Sequence, residues 1–165
     1  MSWWLRACLA IAIAAQPLIA CAEDYAGRIV GVVDGDTVDL LTANKALIRV
    51  RLAGIDAPEK GQPFGHMAKV ILSSLVFHHQ VVVSAHKKDR YGRLVGKVSV
   101  AGVDANLQMV RRGYAWHYKR YESEQSAQDR DVYARAEVSA RSARVGIWTQ
   151  PDPVAPWDYR LAQKK

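Results

Sequence analysis

PFGHMAKVILSSLVFHH, residues 63–79, sets Phe64, Met67, Ala68, Ile71, Leu72, Leu75 and Val76 at the i, i+3, i+4, i+7 spacing of one helix face. A helix is therefore expected here, and the segments on either side have the other period. Upstream, GRIVGVV (27–33) and DTVDLLT (36–42) are rich in β-branched residues and bounded by Gly and Asp, the pattern of strands. ANK (43–45) is a plausible hairpin turn into a third strand, ALIRVRLAG (46–54). There Ile48, Val50 and Leu52 share one face, and Leu47, Arg49 and Arg51 the other. Downstream, QVVVSAHK (80–87) and RLVGKVSV (93–100) are strands joined by the glycine-containing loop KDRYG. DANLQMVRRG (104–113) predicts a short helix with Asp104 as its cap and Gly113 as its stop. A last helix is expected from about Ser123 to Val145, with Tyr133, Ala136, Ala140 and Ala143 as its apolar positions. The tail QPDPVAPWDYRLAQKK is Pro-rich and expected to be extended. Five strands with a helix between the third and fourth match an α+β architecture, a five-stranded OB-fold barrel with about three packed helices.

The chain has 165 residues, about half of them apolar and a quarter charged, enough for one domain with its own core. Its net charge of +7 favours a polyanionic partner: nucleic acid, an anionic membrane surface or an acidic protein. The first 22 residues, MSWWLRACLAIAIAAQPLIACA, carry one cation (Arg6), a short apolar run and small residues near the end. That is the layout of a signal peptide cleaved after Ala22, and the run is short for a spanning helix. LIAC (18–21) also resembles a bacterial lipobox, which would make Cys21 a lipidated first residue. The expected organisation is a leader at 1–22, one domain at 23–150 and a Pro-rich tail at 151–165, exported to the periplasm or the medium. Cys8 and Cys21 both lie in the leader. The mature chain then has no disulfide framework and no thiolate nucleophile or metal site.

The chemistry gathers at the strand ends. Asp34 and Asp36 flank Gly35 in VVDGDTV, and Asp56 and Glu59 follow the third strand in RVRLAGIDAPEKG (49–61). If the first three strands form a meander, the start of the second lies beside the end of the third, and Asp36 meets Asp56. Clustered carboxylates repel unless something positive lies between them. An all-oxygen donor set suits a hard cation, Ca²⁺ or Mg²⁺, and the lack of Cys and of a His pair at ligand spacing makes zinc a poor fit. Arg51 and Arg93 are permanently charged forks that match phosphate oxygens. Glu59 can orient or deprotonate a water. Taken singly, each of these residues has an ordinary surface explanation; the combination points to phosphoryl chemistry.

DGDTV, RLAGIDAPE and DRYGR resemble, in order, the three signature segments of the thermonuclease (staphylococcal and micrococcal nuclease) family, and LQMVRRGYAWHY and AEVSARSARVGIW resemble its later segments. The resemblance spans roughly residues 27–148. It implies an OB barrel with three helices and Ca²⁺-dependent hydrolysis of DNA and RNA that leaves 3′-phosphate ends, with one Ca²⁺ per site and a monomeric chain. By that resemblance Asp36 and Asp56 are the calcium carboxylates, and the backbone carbonyl of Ala57 completes the set. Glu59 is the general base, Arg51 and Arg93 are the phosphate-binding arginines, and Tyr91 and Tyr121 line the nucleotide pocket.

Two positions depart from the family pattern. Ala57 replaces a Thr, keeping the carbonyl but losing a hydroxyl. Lys119 stands where a pocket Tyr is expected and could bind a terminal phosphate. The alternatives are a catalytically weak OB-fold nucleic-acid-binding module, a lipid-anchored envelope protein, and a phospholipase D-like site built on His117, Lys119 and Glu124.

Overall fold

A computed structural model describes residues 23–164. The expected leader and its Cys21 anchor lie outside the described residues. The chain order is β1 (Glu23–Val32), β2 (Thr37–Thr42), β3 (Leu47–Leu52), the two-residue β4 (Ile55–Asp56), α1 (Gly65–Val76), β5 (Gln80–Lys88), β6 (Leu94–Val100), β7 (Val103–Asp104), α2 (Ala105–Arg111), β8 (Trp116–His117), α3 (Ala127–Ser142) and α4 (Pro156–Ala162), with single 3₁₀ segments at Lys119–Glu124 and Gly146–Thr149. Strands β1, β2 and β3 form the antiparallel meander, β5 returns beside β1, and β6 pairs with β5. A parallel pairing of β3 with β6, Val50 opposite Leu94, closes five strands into a barrel. Closure removes the open sheet edges and fixes the ends of β2, β3 and β6 next to one another. The α+β, OB-type reading is correct.

Alternation fills the barrel. Ile29, Val38, Leu40, Val50, Leu52, Val83 and Val98 point inward and are fully or almost fully buried. α1 closes one end with Ala68, Leu72 and Val76, and α2 adds Met109 and Val110. Each of the larger aliphatic side chains contributes about 1.5–3 kcal/mol by leaving water. A second, smaller cluster joins Trp116, Ala140, Ile147, Trp148 and Ala155, with Phe64 and Trp157 packed against it.

Several boundaries differ from expectation. α1 is shorter at both ends: Phe64 before it and His78 just beyond it hold left-handed backbone, at φ 68° and 63°. The third strand stops at Leu52; Gly54, at φ 72°, turns the chain, and Ile55–Asp56 pair antiparallel with Trp116–His117 instead. α3 starts late because Ser126 caps it, its Oγ accepting from the Asp129 N–H at 3.0 Å, and the preceding residues wind as 3₁₀ helix. The tail is not extended. Pro156 opens α4, at a position where its missing N–H costs nothing, and three prolines in six residues had obscured a helix start.

Candidate active site

The meander brings Asp36 and Asp56 together by register. Thr37 pairs with Arg51, and the Leu52 N–H donates to the Asp36 carbonyl at 2.8 Å. Gly35 is needed for closeness rather than for a bend. A Cβ there would lie 2.7 Å from both the Ala57 and Ala68 methyl carbons, so only glycine lets the Asp-Gly-Asp loop lie against β4 and α1. Gly65 serves the segment after Asp56 in the same way: a Cβ would run into the Glu59 carbonyl. Asn106, fully buried, accepts from the Val98 N–H and donates to the Ala53 and Gly96 carbonyls, pinning the turn that leads into Asp56.

Arg51 lies at the centre. Its Nη2 is 3.0 Å from Asp36 Oδ2 and 2.9 Å from Asp56 Oδ1, and its Nη1 donates to the Leu52 and Ile55 carbonyls at 2.7 and 2.9 Å. The Ala57 N–H donates to Asp36 Oδ2 at 2.9 Å, and Thr37 Oγ1 lies 3.2 Å from Asp36 Oδ1. Asp34 does not join the pair; its Oδ1 accepts from the Asp36 N–H within the loop. Burial pushes the Asp36 carboxyl up to about 7, Arg51 opposes this, and Asp34 and Asp56 add to it. The donor set that Asp36, Asp56 and the Ala57 carbonyl would offer is all oxygen, which suits a hard divalent cation. Among the described residues, no three acidic, His or Cys side chains form a ready cage.

Glu59 is near the pair, through a residue that the sequence reading missed. Arg160 of α4 sets Nη2 2.7 Å from Asp56 Oδ2, and Nη1 3.2 Å from Asp56 Oδ1 and 2.6 Å from Glu59 Oε1. Burial works against its charge, but the hydrogen bonds to Asp56 and Glu59 prevail and hold it well above the ordinary arginine value. Pro156 at a first helical turn was the one available sign of α4; nothing in the sequence indicated where its arginine would point.

The other predicted residues have different partners. Arg93 precedes β6, with Nε 2.7 Å from Asp89 Oδ2 in the β5–β6 hairpin. Tyr91 is exposed at the hairpin tip, its ring centre 5.4 Å from the Arg93 guanidinium carbon. Tyr121 has the Lys87 ammonium 5.2 Å from its ring centre and meets Tyr118 edge-on. Lys119 turns to the buried Glu137, at 3.3 Å, and not to the carboxylate pair. The phospholipase D-like trio is dispersed: His117 is buried with Nε2 2.8 Å from Gln125 Oε1, Lys119 goes to Glu137, and Glu124 pairs with Lys87.

Comparison with known proteins identifies relatives of the chain. Residues 49–150 match the family model described as staphylococcal nuclease homologue. The chain is 40% identical over 150 residues to a micrococcal nuclease of Shigella flexneri, covering 86% of this chain and 83% of that one. It is 39% identical over 143 residues to an uncharacterised endonuclease of Escherichia coli, covering 86% and 88%. It is 40% identical over 165 residues to protein ParB of Escherichia coli, covering 94% and 90%. The family match over residues 49–150 and these relatives show that the chain belongs to the staphylococcal nuclease homologue family.

Proposed function

We propose that this protein is an exported, Ca²⁺-dependent endonuclease that hydrolyses DNA and RNA with low sequence specificity and leaves 3′-phosphate ends. Membership of a nuclease family supports the reaction class, hydrolysis of phosphodiester bonds. The observation that carries the site assignment is the apposition of Asp36 and Asp56 around Arg51, with Glu59 joined to Asp56 through Arg160.

In this reading Asp36, Asp56 and the Ala57 carbonyl hold the cation, which supplies charge stabilisation to the scissile phosphate. Glu59 accepts a proton from the attacking water as its oxygen bonds to phosphorus. The bond from phosphorus to the 5′-oxygen breaks, that oxygen takes up a proton, and the phosphate stays on the 3′-side. Arg51 and Arg93 hold the non-bridging oxygens as negative charge builds up on them. To do so Arg93 gives up its pair with Asp89. Tyr91 and Tyr121 offer exposed rings to bases, a contact that tolerates any sequence. Lys119 leaves Glu137 to bind a terminal phosphate of the substrate. Residues 1–22 act as the export signal and the mature protein acts as a monomer; the alternative is a lipoprotein anchored through Cys21.

The test is cleavage of plasmid DNA and of RNA with Ca²⁺, with Mg²⁺ and with chelator, alongside Glu59→Ala and Arg93→Ala. Calcium-dependent cleavage that collapses in both variants is expected. A second reading, a catalytically weak binding module, draws on one observation: Arg160 occupies both Asp56 and Glu59. Absent cleavage with salt-sensitive nucleic-acid binding retained would establish that module instead.

A further inference from the structure

Arg160 comes from outside the segment that matches the family model, which ends at residue 150, yet it reaches the centre of the site. α4 is seated by contacts that do not involve Arg160. Gln62 Nε2 donates to the Val154 carbonyl at 2.6 Å, and the Tyr159 hydroxyl donates to the Gly61 carbonyl at 3.0 Å. Trp157 stacks on Tyr118, with ring centres 5.3 Å apart and planes at 13°, and meets Trp116 edge-on. This seat points the guanidinium at two carboxylates at once, with both Asp56 oxygens and one Glu59 oxygen engaged.

We propose that Arg160 is a built-in stand-in for the divalent cation, so that docking of the Arg160 guanidinium and binding of Ca²⁺ at Asp56 exclude one another. The inference rests on Asp56 being a calcium ligand. A calcium–oxygen contact is about 2.3–2.6 Å long, and a guanidinium already 2.7 Å from Asp56 Oδ2 would share that oxygen with a doubly charged neighbour. Arg51 touches Asp56 only through Oδ1, whereas docked Arg160 covers both oxygens, so a cation that needs Oδ2 finds it taken until Arg160 withdraws. Glu59 is governed by the same contact. While Arg160 is docked, Oε1 of Glu59 is taken up by its Nη1 at 2.6 Å. Withdrawal of Arg160 therefore frees a cation ligand and the base together. The apparent affinity for calcium is lowered by the fraction of molecules in which Arg160 is docked. Trp157 lies one helical turn before Arg160 on α4 and carries the readout, reporting on the loss of the docked guanidinium.

The experiment is calorimetric titration of the protein, its Arg160→Ala variant and its Trp157→Ala variant with calcium chloride, with tryptophan fluorescence followed in parallel. Arg160→Ala should bind calcium at least about tenfold more tightly, as expected where the docked form outnumbers the free one tenfold or more. Trp157→Ala, which loosens the seat and keeps the arginine, should also bind more tightly, by less. Calcium should change the fluorescence of the parent protein and leave that of Arg160→Ala nearly still. Equal or weaker binding by Arg160→Ala, with calcium-dependent cleavage intact in the parent, overturns this inference alone. Calcium bound by none of the three proteins overturns the calcium reading and this inference with it. Should Arg160→Ala fail to fold, Trp157→Ala decides: unchanged or weaker affinity there overturns the competition.

Discussion

Arg51 lies on β3 and Arg93 immediately precedes β6, the strand that pairs with β3 across the barrel seam, yet the two are held in opposite ways. Arg51 is 15% exposed and makes four polar contacts, two to carbonyls and two to buried carboxylates. Arg93 is half-buried, answers to one aspartate of its own hairpin, and neighbours a tyrosine that is 70% exposed. One residue type serves two purposes: Arg51 builds the site and Arg93 is able to leave its resting partner for a substrate. In a barrel, the end of a central strand is surrounded on every side, while a hairpin tip is not.

The comparison breaks first at Arg51. Removing it leaves Asp36 and Asp56 buried without their shared counter-charge, and breaking a buried pair in this way costs about 3–5 kcal/mol. Arg51→Ala should lower unfolding stability in urea by that amount and abolish cleavage. A loss below about 1 kcal/mol would mean that Arg51 does not hold the site together. Arg93→Ala should behave differently: stability within about 1 kcal/mol of the parent, because the Asp89 pair is partly solvated, and cleavage reduced by about 10²–10³-fold. A stability loss as large as that of Arg51→Ala would erase the distinction between the two arginines.

Much of this was legible beforehand because periodicity and register are local. The alternation of Val50 and Leu52 against Arg49 and Arg51 set the inward face of β3, and the meander alone placed Asp36 beside Asp56. The helical spacing after Phe64 fixed α1 between the third and fourth long strands and hence the barrel. What was not legible depends on contacts between distant segments. The sequence shows Gly35 only as the residue between Asp34 and Asp36, and its need for close approach follows from where Ala57 and Ala68 come to lie. Lys119 looked available for phosphate until Glu137, eighteen positions on, took it. Arg160 is 104 residues from Asp56, and no periodicity in a seven-residue helix reveals its partner.

The smallest effect sharpens the comparison at the hairpin. Burial raises the Asp89 carboxyl, but hydrogen bonds from the Arg93 side chain and from the Arg93 and Tyr91 backbone outweigh it and hold the group below its ordinary value. A carboxyl depressed in the folded state stabilises the fold above its unfolded value of about 4, and the gain disappears as pH falls through the folded value. The parent should therefore exceed Asp89→Asn in stability at pH 7 by less than about 1 kcal/mol, as for a partly solvated pair. That margin should fade on acidification below pH 4, as followed by thermal unfolding across pH. A margin that persists undiminished at pH 2 would trace the hairpin to hydrogen bonding without charge. A margin of several kcal/mol at pH 7 would fix Arg93 to Asp89 as firmly as Arg51 is fixed to its carboxylates, and an arginine so held could not turn toward a phosphate.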